Sequence, residues 1–219
     1  MSYYWDNKFL QHLKDNDIRT IFELGARYGD ESKKLKLTFP NSKIYSFECN
    51  PNTIEICKKN LNNIEDIHFY DFGLGDKECD LPFYSYTQNN DGASSLLKRI
   101  DFEFTQRETG LINIKRLDNF VKSIGIENID ILCMDVQGYE LNILKGAGNF
   151  IKNIKYIIME EPKAIINTDY LPTGMHSKYI NAPTSKEIKD FMFKNNFIQI
   201  ESIEENAIED NVMYKNNNL

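Results

Sequence analysis

No run of apolar residues in this 219-residue chain approaches the roughly 18 needed to span a bilayer, so no membrane segment is expected. Residues Met1 to Asp6 lack the basic-then-apolar layout of a secretion signal, which points to a cytoplasmic location. Cysteine is scarce, and Cys49, Cys57, Cys79 and Cys133 form no CxxC pair. None of the three histidines stands at metal-ligand spacing from them, so the thiols read as reduced and no metal centre is assigned. Positive charge is in deficit as well: 26 Lys and Arg face 33 Asp and Glu, for a formal charge of −7. Binding nucleic acid through its phosphates needs clustered cations, so a general nucleic-acid binder is excluded. No repeat and no linker divides the chain. Residues 1–219 read as one domain, with a cofactor half at about 18–125 and an acceptor side at about 126–215.

What is present is organised around residues 21–48. Ile21-Phe22-Glu23-Leu24-Gly25-Ala26-Arg27-Tyr28-Gly29 is a short apolar run closed by a glycine turn, and Lys43-Ile44-Tyr45-Ser46-Phe47-Glu48 is a second run closed by an acid. This is the layout of a strand, a turn at a helix N-terminus, the helix and a parallel strand. In such a unit glycine lets backbone N–H groups approach a ligand, and an acid about 20 residues further on accepts hydrogen bonds from a ribose. Gly25 and Glu48 stand close to that spacing and mark a nucleoside-cofactor site. Dinucleotide enzymes usually carry GxGxxG here, whereas this turn has only Gly25 and Gly29. S-adenosylmethionine has no phosphate to cradle; it needs backbone donors for its carboxylate and an acid or carbonyl for its ammonium. It therefore suits the turn better than a dinucleotide, and an NAD(P)-dependent oxidoreductase is the alternative.

The remaining pattern alternates strands and helices. Ile67 to Asp71 and Ile129 to Met134 read as strands, the second apolar enough to be buried on both faces of a parallel sheet. Gly73-Leu74-Gly75-Asp76 reads as a turn, Leu81 to Tyr86 as an added strand, and Tyr156 to Met159 as a strand closed by Glu160-Glu161-Pro162. Lys163 to Pro183 shows no element, a length typical of lids and binding loops. Thr184-Ser185-Lys186-Glu187 is a capping-box pattern that opens a helix. Phe197 to Ile203 and Asn211 to Tyr214 read as a closing antiparallel pair. Together these predict an open, mostly parallel α/β sheet with ligands at the carboxyl ends of its strands.

Asp135-Val136-Gln137-Gly138-Tyr139-Glu140-Leu141-Asn142-Ile143-Leu144-Lys145-Gly146-Ala147 closely resembles the signature of FkbM-type methyltransferases. So do Phe47-Glu48-Cys49-Asn50-Pro51, Gly73-Leu74-Gly75-Asp76, Ser94-Ser95-Leu96-Leu97 and Ile114-Lys115-Arg116-Leu117-Asp118. The resemblance runs from about Thr20 to Glu161, with all five motifs in order. It implies a Rossmann-like methyltransferase fold, with a mostly parallel seven-stranded sheet, helices on both faces and a closing antiparallel hairpin. It also implies S-adenosylmethionine as cofactor and O-methylation of a sugar, glycan or small metabolite. A catalytically inactive binding module of the same fold is the non-enzymatic alternative. Two departures stand out: Arg27 follows Ala26 where the family often has Asn, and Cys133 stands where it frequently has Lys.

Following that resemblance, Glu23, Gly25 and Ala26 are expected at the methionine end, with Glu23 near the ammonium. Glu48 is expected on the ribose, Cys49 and Asn50 beside the adenosine, Asp71 and Phe72 on the adenine, and Ser94 and Ser95 within reach of the cofactor. Asp135 is the expected reaction centre, where a carboxylate orients the acceptor, takes its proton or binds a metal; it can also cap the following helix. Glu161 and its neighbour Glu160 are expected as further acids, one of them facing the acceptor. His176, in the long segment with Tyr170 and Tyr179, is the candidate general base. An alcohol acceptor needs its proton removed, which leaves a base or a divalent metal as open choices.

Overall fold

The computed structural model describes residues 7–14, 16–86, 91–100, 107–163 and 177–219. In chain order its elements are α1 (Asn7–Leu13), β1 (Thr20–Leu24), α2 (Asp30–Thr38), β2 (Lys43–Phe47), α3 (Ile54–Leu61), β3 (Ile67–Tyr70), β4 (Gly73–Gly75) and β5 (Cys79–Ser85). They continue with β6 (Arg107–Arg116), α4 (Leu117–Ser123), β7 (Ile129–Met134), α5 (Glu140–Gly146), β8 (Ile154–Pro162), α6 (Ser185–Lys194), β9 (Phe197–Glu204) and β10 (Glu209–Asn216). Seven strands form one sheet in the order β3-β2-β1-β7-β8-β10-β9. The pairs through β3-β2-β1-β7-β8 are parallel, and β10 runs antiparallel to both β8 and β9. The expected α/β fold with its closing hairpin is therefore present.

Period-two alternation assigns the strand residues to two faces. Phe22, Leu24, Leu132, Met134, Ile157, Met159, Val212 and Tyr214 pack in one cluster with Leu117, Phe120 and Val121 of α4, Leu141, Ile143 and Leu144 of α5, and Ile188 and Met192 of α6. Ile21, Ile44, Ile131, Cys133, Ile158 and Met213 face the other way, onto Phe9 and Leu13 of α1 and Leu35 of α2. β7 is apolar on both faces because it is covered on both, as its continuous hydrophobic run predicted. The capping box also forms: the Thr184 hydroxyl accepts from the Glu187 N–H at 3.2 Å, and the Glu187 carboxylate accepts from the Thr184 N–H at 2.8 Å.

The second sheet was not foreseen. Gly73–Gly75 is a short strand and not a turn, paired in parallel with β6, which in turn pairs antiparallel with β5. β8 extends through Glu160 and Glu161 to Pro162, beyond the end expected for it. Gly29 is the N-cap of α2, with φ 82°, a left-handed conformation open to glycine without a Cβ clash. The small sheet is seated on α5 by backbone contact. A Cβ placed on Gly146 would lie 1.9 Å from the Gly75 carbonyl oxygen. Gly146→Ala is thus expected to push α5 off β4 and lower stability by about 1–3 kcal/mol, read as a shifted urea midpoint. A midpoint equal to wild type would show that this seat is soft.

Candidate functional site at the carboxyl ends of the strands

A cavity of about 790 Å³ opens where β1, β2 and β7 end. It is shaped by the turn after β1. Gly25 (φ 89°) approaches so closely that a Cβ there would sit 2.0 Å from the Asp135 carbonyl oxygen. The Gly25 and Ala26 N–H groups both donate to the Phe47 carbonyl, at 3.0 and 2.9 Å. Arg27 follows at φ 50°, and this left-handed step turns its N–H onto Glu48 Oε2 at 2.5 Å. The other Glu48 oxygen accepts from the Asn50 N–H at 2.6 Å. Two backbone donors thus hold the carboxylate in one orientation, leaving each oxygen a lone pair for a ligand. Burial nevertheless raises its pKa to about 7, and the two N–H bonds only partly offset that.

The wall beside Glu48 is apolar and comprises Phe47, Phe72, Leu74, Phe83 and Leu96. Opposite them stand Arg27, Tyr28, Asp91 and Gly92. Asp91 is buried and accepts from the Arg27 guanidinium and the Tyr28 hydroxyl, while the guanidinium carbon lies 4.9 Å from the Tyr28 ring centre. At the helix side, Glu31 reaches the cavity from the first turn of α2. One of its oxygens accepts from Lys34 at 2.9 Å. The other, Oε2, is buried and has no hydrogen-bond partner among the described residues.

Past the end of β7, Gln137 occupies a left-handed conformation (φ 55°) and bonds to four residues. Its Nε2 donates to Asp135 Oδ1 at 2.6 Å and to Glu160 Oε2 at 3.0 Å. Its Oε1 accepts from the Tyr179 hydroxyl at 2.6 Å, and its carbonyl accepts from Ser95 Oγ at 2.8 Å. Asp135 is raised to about 6 by loss of water, with the Gln137 bond opposing the shift. Glu160 is raised well above the usual carboxylate range by burial and then by the Asp135 charge.

Gly25, Ala26, Glu48, Cys49, Asn50, Phe72, Ser94, Ser95 and Asp135, all named from the sequence, line this one cavity. Three assignments need correction. Glu23 is not on the cavity wall: it shares the Ile21 face of β1 and lies beneath α2, accepting from the Ser32 and Ser46 hydroxyls. Its pKa, raised to about 7 by burial, reflects that enclosure. Asp71 is exposed and also off the wall. Glu161 does not face the acceptor; odd-numbered residues of β8 point toward α6, where it accepts from Ser185 at 2.6 Å and from Tyr214 and lies 3.4 Å from Lys189. Glu160, on the other face of β8, accepts from Gln137. His176 lies outside the described residues.

Cys133 is also explained by register. It is buried beside Glu23, its partner across β1 and β7, and does not line the cavity. A different residue at this position bears on the Glu23 charge and not on the acceptor. Among the described residues no three His, Cys, Asp or Glu side chains are grouped to hold a metal ion, and no helix is long and apolar enough to cross a membrane. Glu31, Arg27 and Asp91 were missed from the sequence. Only the position of Glu31 in the first turn of α2 hinted at a role.

Comparison with known proteins decides the family. Residues 23–198 match the model of the methyltransferase FkbM domain. The chain belongs to that family. It is 21% identical over 150 residues to the 2-O-methyltransferase NoeI of Sinorhizobium fredii, covering 64% of this chain and 62% of that protein. It is also 21% identical over 154 residues to the hexuronic acid methyltransferase AglP of Haloferax volcanii, covering 69% and 58%. It thus spans less than two thirds of either relative. The crystal structure of methyltransferase FkbM from Methylobacillus flagellatus superposes with a TM-score of 0.57 at 13% identity, covering 98% of this chain and 48% of that one. This family membership removes the oxidoreductase alternative.

Several carboxyls here bind protons more tightly folded than unfolded: Asp135 at about 6, Glu23 and Glu48 at about 7, and Glu140 at about 8. Each favours the fold most below its ordinary pKa near 4, and that contribution is lost as pH rises through the folded value. The ligand-free protein is therefore expected to melt at progressively lower temperature from pH 5 to pH 8. Glu140→Gln, which retains an acceptor for the Val136 and Gly138 N–H groups, should flatten the upper part of that profile. A melting temperature that climbs with pH would contradict the burial argument.

Proposed function

We propose that this protein is an S-adenosylmethionine-dependent O-methyltransferase acting on a hydroxyl of a sugar, glycan or small metabolite. The observation that carries the reading is Glu48, a carboxylate oriented by the Arg27 and Asn50 N–H groups inside a cavity that ends at Asp135. The site fits the cofactor on three counts. Glu48 offers two oxygens to the ribose hydroxyls, the Phe47, Phe72 and Leu74 wall takes a flat base, and the orphaned Glu31 Oε2 awaits a donor such as the methionine ammonium. Membership of the family and NoeI, a 2-O-methyltransferase, support an oxygen acceptor, and AglP, a hexuronic acid methyltransferase, supports a sugar.

When bound, S-adenosylmethionine supplies a methyl group already activated by its sulfonium. What the chain must add is position and a proton acceptor. Asp135, held by Gln137 and raised to about 6, is ionised at neutral pH yet more basic than a solvated aspartate. It takes the hydroxyl proton as the new bond forms. Glu160, whose pKa is raised by burial and by the Asp135 charge, is held beside Asp135 by the same Gln137 amide.

Isothermal titration with S-adenosylmethionine, S-adenosylhomocysteine and NAD is the test of the cofactor. The first two should bind and NAD should not, and Glu48→Ala should weaken binding by about ten- to a hundredfold. Binding of NAD alone would overturn the reading. Asp135→Asn should hold cofactor affinity near wild type while reducing turnover on any accepted sugar by about a hundredfold or more. Full turnover in the Asp135→Asn variant would remove Asp135 from the proton transfer. Cofactor binding without methyl transfer to any acceptor in a hydroxyl-compound screen would favour the inactive binding module.

A further inference from the structure

At the carboxyl ends of β7 and β8 and the amino end of β10, on the face that carries Cys133 and Ile158, carboxyl and amide oxygens accumulate. Cys133 stands opposite Ile158, so Asp135 and Glu160 follow on the same face. Across β8 and β10, Asn211 is opposite Glu160 and Glu209 is opposite Pro162, which places both there too. Glu205 joins them by accepting from Asn211 Nδ2 at 2.7 Å. Asn211 is only 1% exposed, yet its Oδ1 has no hydrogen-bond partner among the described residues. Exchanging the amide oxygen and nitrogen would turn the oxygen onto the Glu205 carboxylate, so this orientation is dictated by its neighbour. A buried carbonyl without a donor is rare, and a donor brought by a ligand would satisfy it.

Charge points the same way. Glu205 and Glu209 both act on Asp135 and Glu160 as repulsive neighbours. Two guanidiniums reach the area, and both are engaged: Arg27 by Asp91, and Arg99 over the Tyr86 and Tyr179 rings at 5.4 and 5.5 Å. Lys163 is occupied by Glu204 and Asp210. The residues outside the described set contain no Lys or Arg. An anionic acceptor would meet Glu205 and Glu209 here in addition to Asp135 and Glu160.

We propose that the acceptor is a hydroxylated amine of the amino-sugar class, bound as its ammonium by Glu160, Glu209 and Asn211 Oδ1 with its hydroxyl at Asp135. This rests on the O-methyltransferase reading and adds the charge class of the substrate. The C–O bond forms as the S–CH₃ bond breaks, and the hydroxyl proton passes to Asp135. The amine stays protonated, has no free electron pair, and is spared methylation.

The test uses the full chain with labelled S-adenosylmethionine and three matched probes: methyl glucosaminide, its N-acetyl derivative and methyl glucuronide. Label transfer to the amine should exceed transfer to either other probe by about tenfold in kcat/KM. Glu209→Gln and Asn211→Leu should shrink that preference while S-adenosylhomocysteine affinity stays within about twofold; Glu209→Gln alone suffices if the core variant fails to fold. Equal or better transfer to the N-acetyl sugar or the glucuronide overturns the proposal. If none is labelled, binding of the same probes to protein saturated with S-adenosylhomocysteine is measured by saturation-transfer NMR with EDTA present. Binding of the amine without a tenfold preference over the glucuronide, or no binding of it, overturns the proposal and leaves the O-methyltransferase reading standing. Failure to bind either cofactor form overturns both.

Discussion

The site depends on the contact between the turn after β1 and the end of β7. Gly25 packs its bare Cα against the Asp135 carbonyl, a gap that no side chain can enter. That approach draws the Ala26-Arg27 backbone across the sheet edge and sends the Arg27 N–H to Glu48. It also sets the start of the 135–139 turn, from which Gln137 reaches Asp135 and Glu160. One backbone contact therefore sets the separation of the two carboxylates, Glu48 and Asp135, on which the proposed cofactor and acceptor roles rest.

A second constraint is the removal of water from acids. Glu23, Glu48, Asp135, Glu140 and Glu160 all have raised pKa values with burial as the first cause. Each is met mainly by neutral donors: hydroxyls at Glu23, backbone N–H groups at Glu48 and Glu140, and a carboxamide at Asp135 and Glu160. Neutral donors satisfy the oxygens without cancelling the charge, so the fold is strained against its own acids. A ligand that brings positive charge would relieve that strain.

Much of this was legible in the sequence. β1, β2 and β7 are continuous apolar runs, and Glu48 lies at a strand end at the spacing of a ribose-binding acid. β4 and β6 were not legible, because Gly73-Leu74-Gly75 carries one side chain and β6 buries little besides Ile112 and Ile114 within a polar segment. Glu23 was misplaced since both neighbours and the residue two before it are apolar, so alternation could not say which face was which. Glu160 and Glu161 were not told apart because the strand was expected to stop at Met159, which left their parity open. The orphaned oxygen of Glu31 is a tertiary property with no local sequence signal.

The adjacent residues Glu160 and Glu161 point to opposite faces of β8 and hold opposite flanks of the returning chain. Glu160 is tied through Gln137 to Tyr179, and Glu161 to Ser185 and Lys189 of α6. The chain leaves β8 with the Lys163 N–H bonded to Ile208 and returns at these two anchors. A one-residue insertion in β8 ahead of Glu160 would therefore exchange the two acids between the faces and undo both attachments at once.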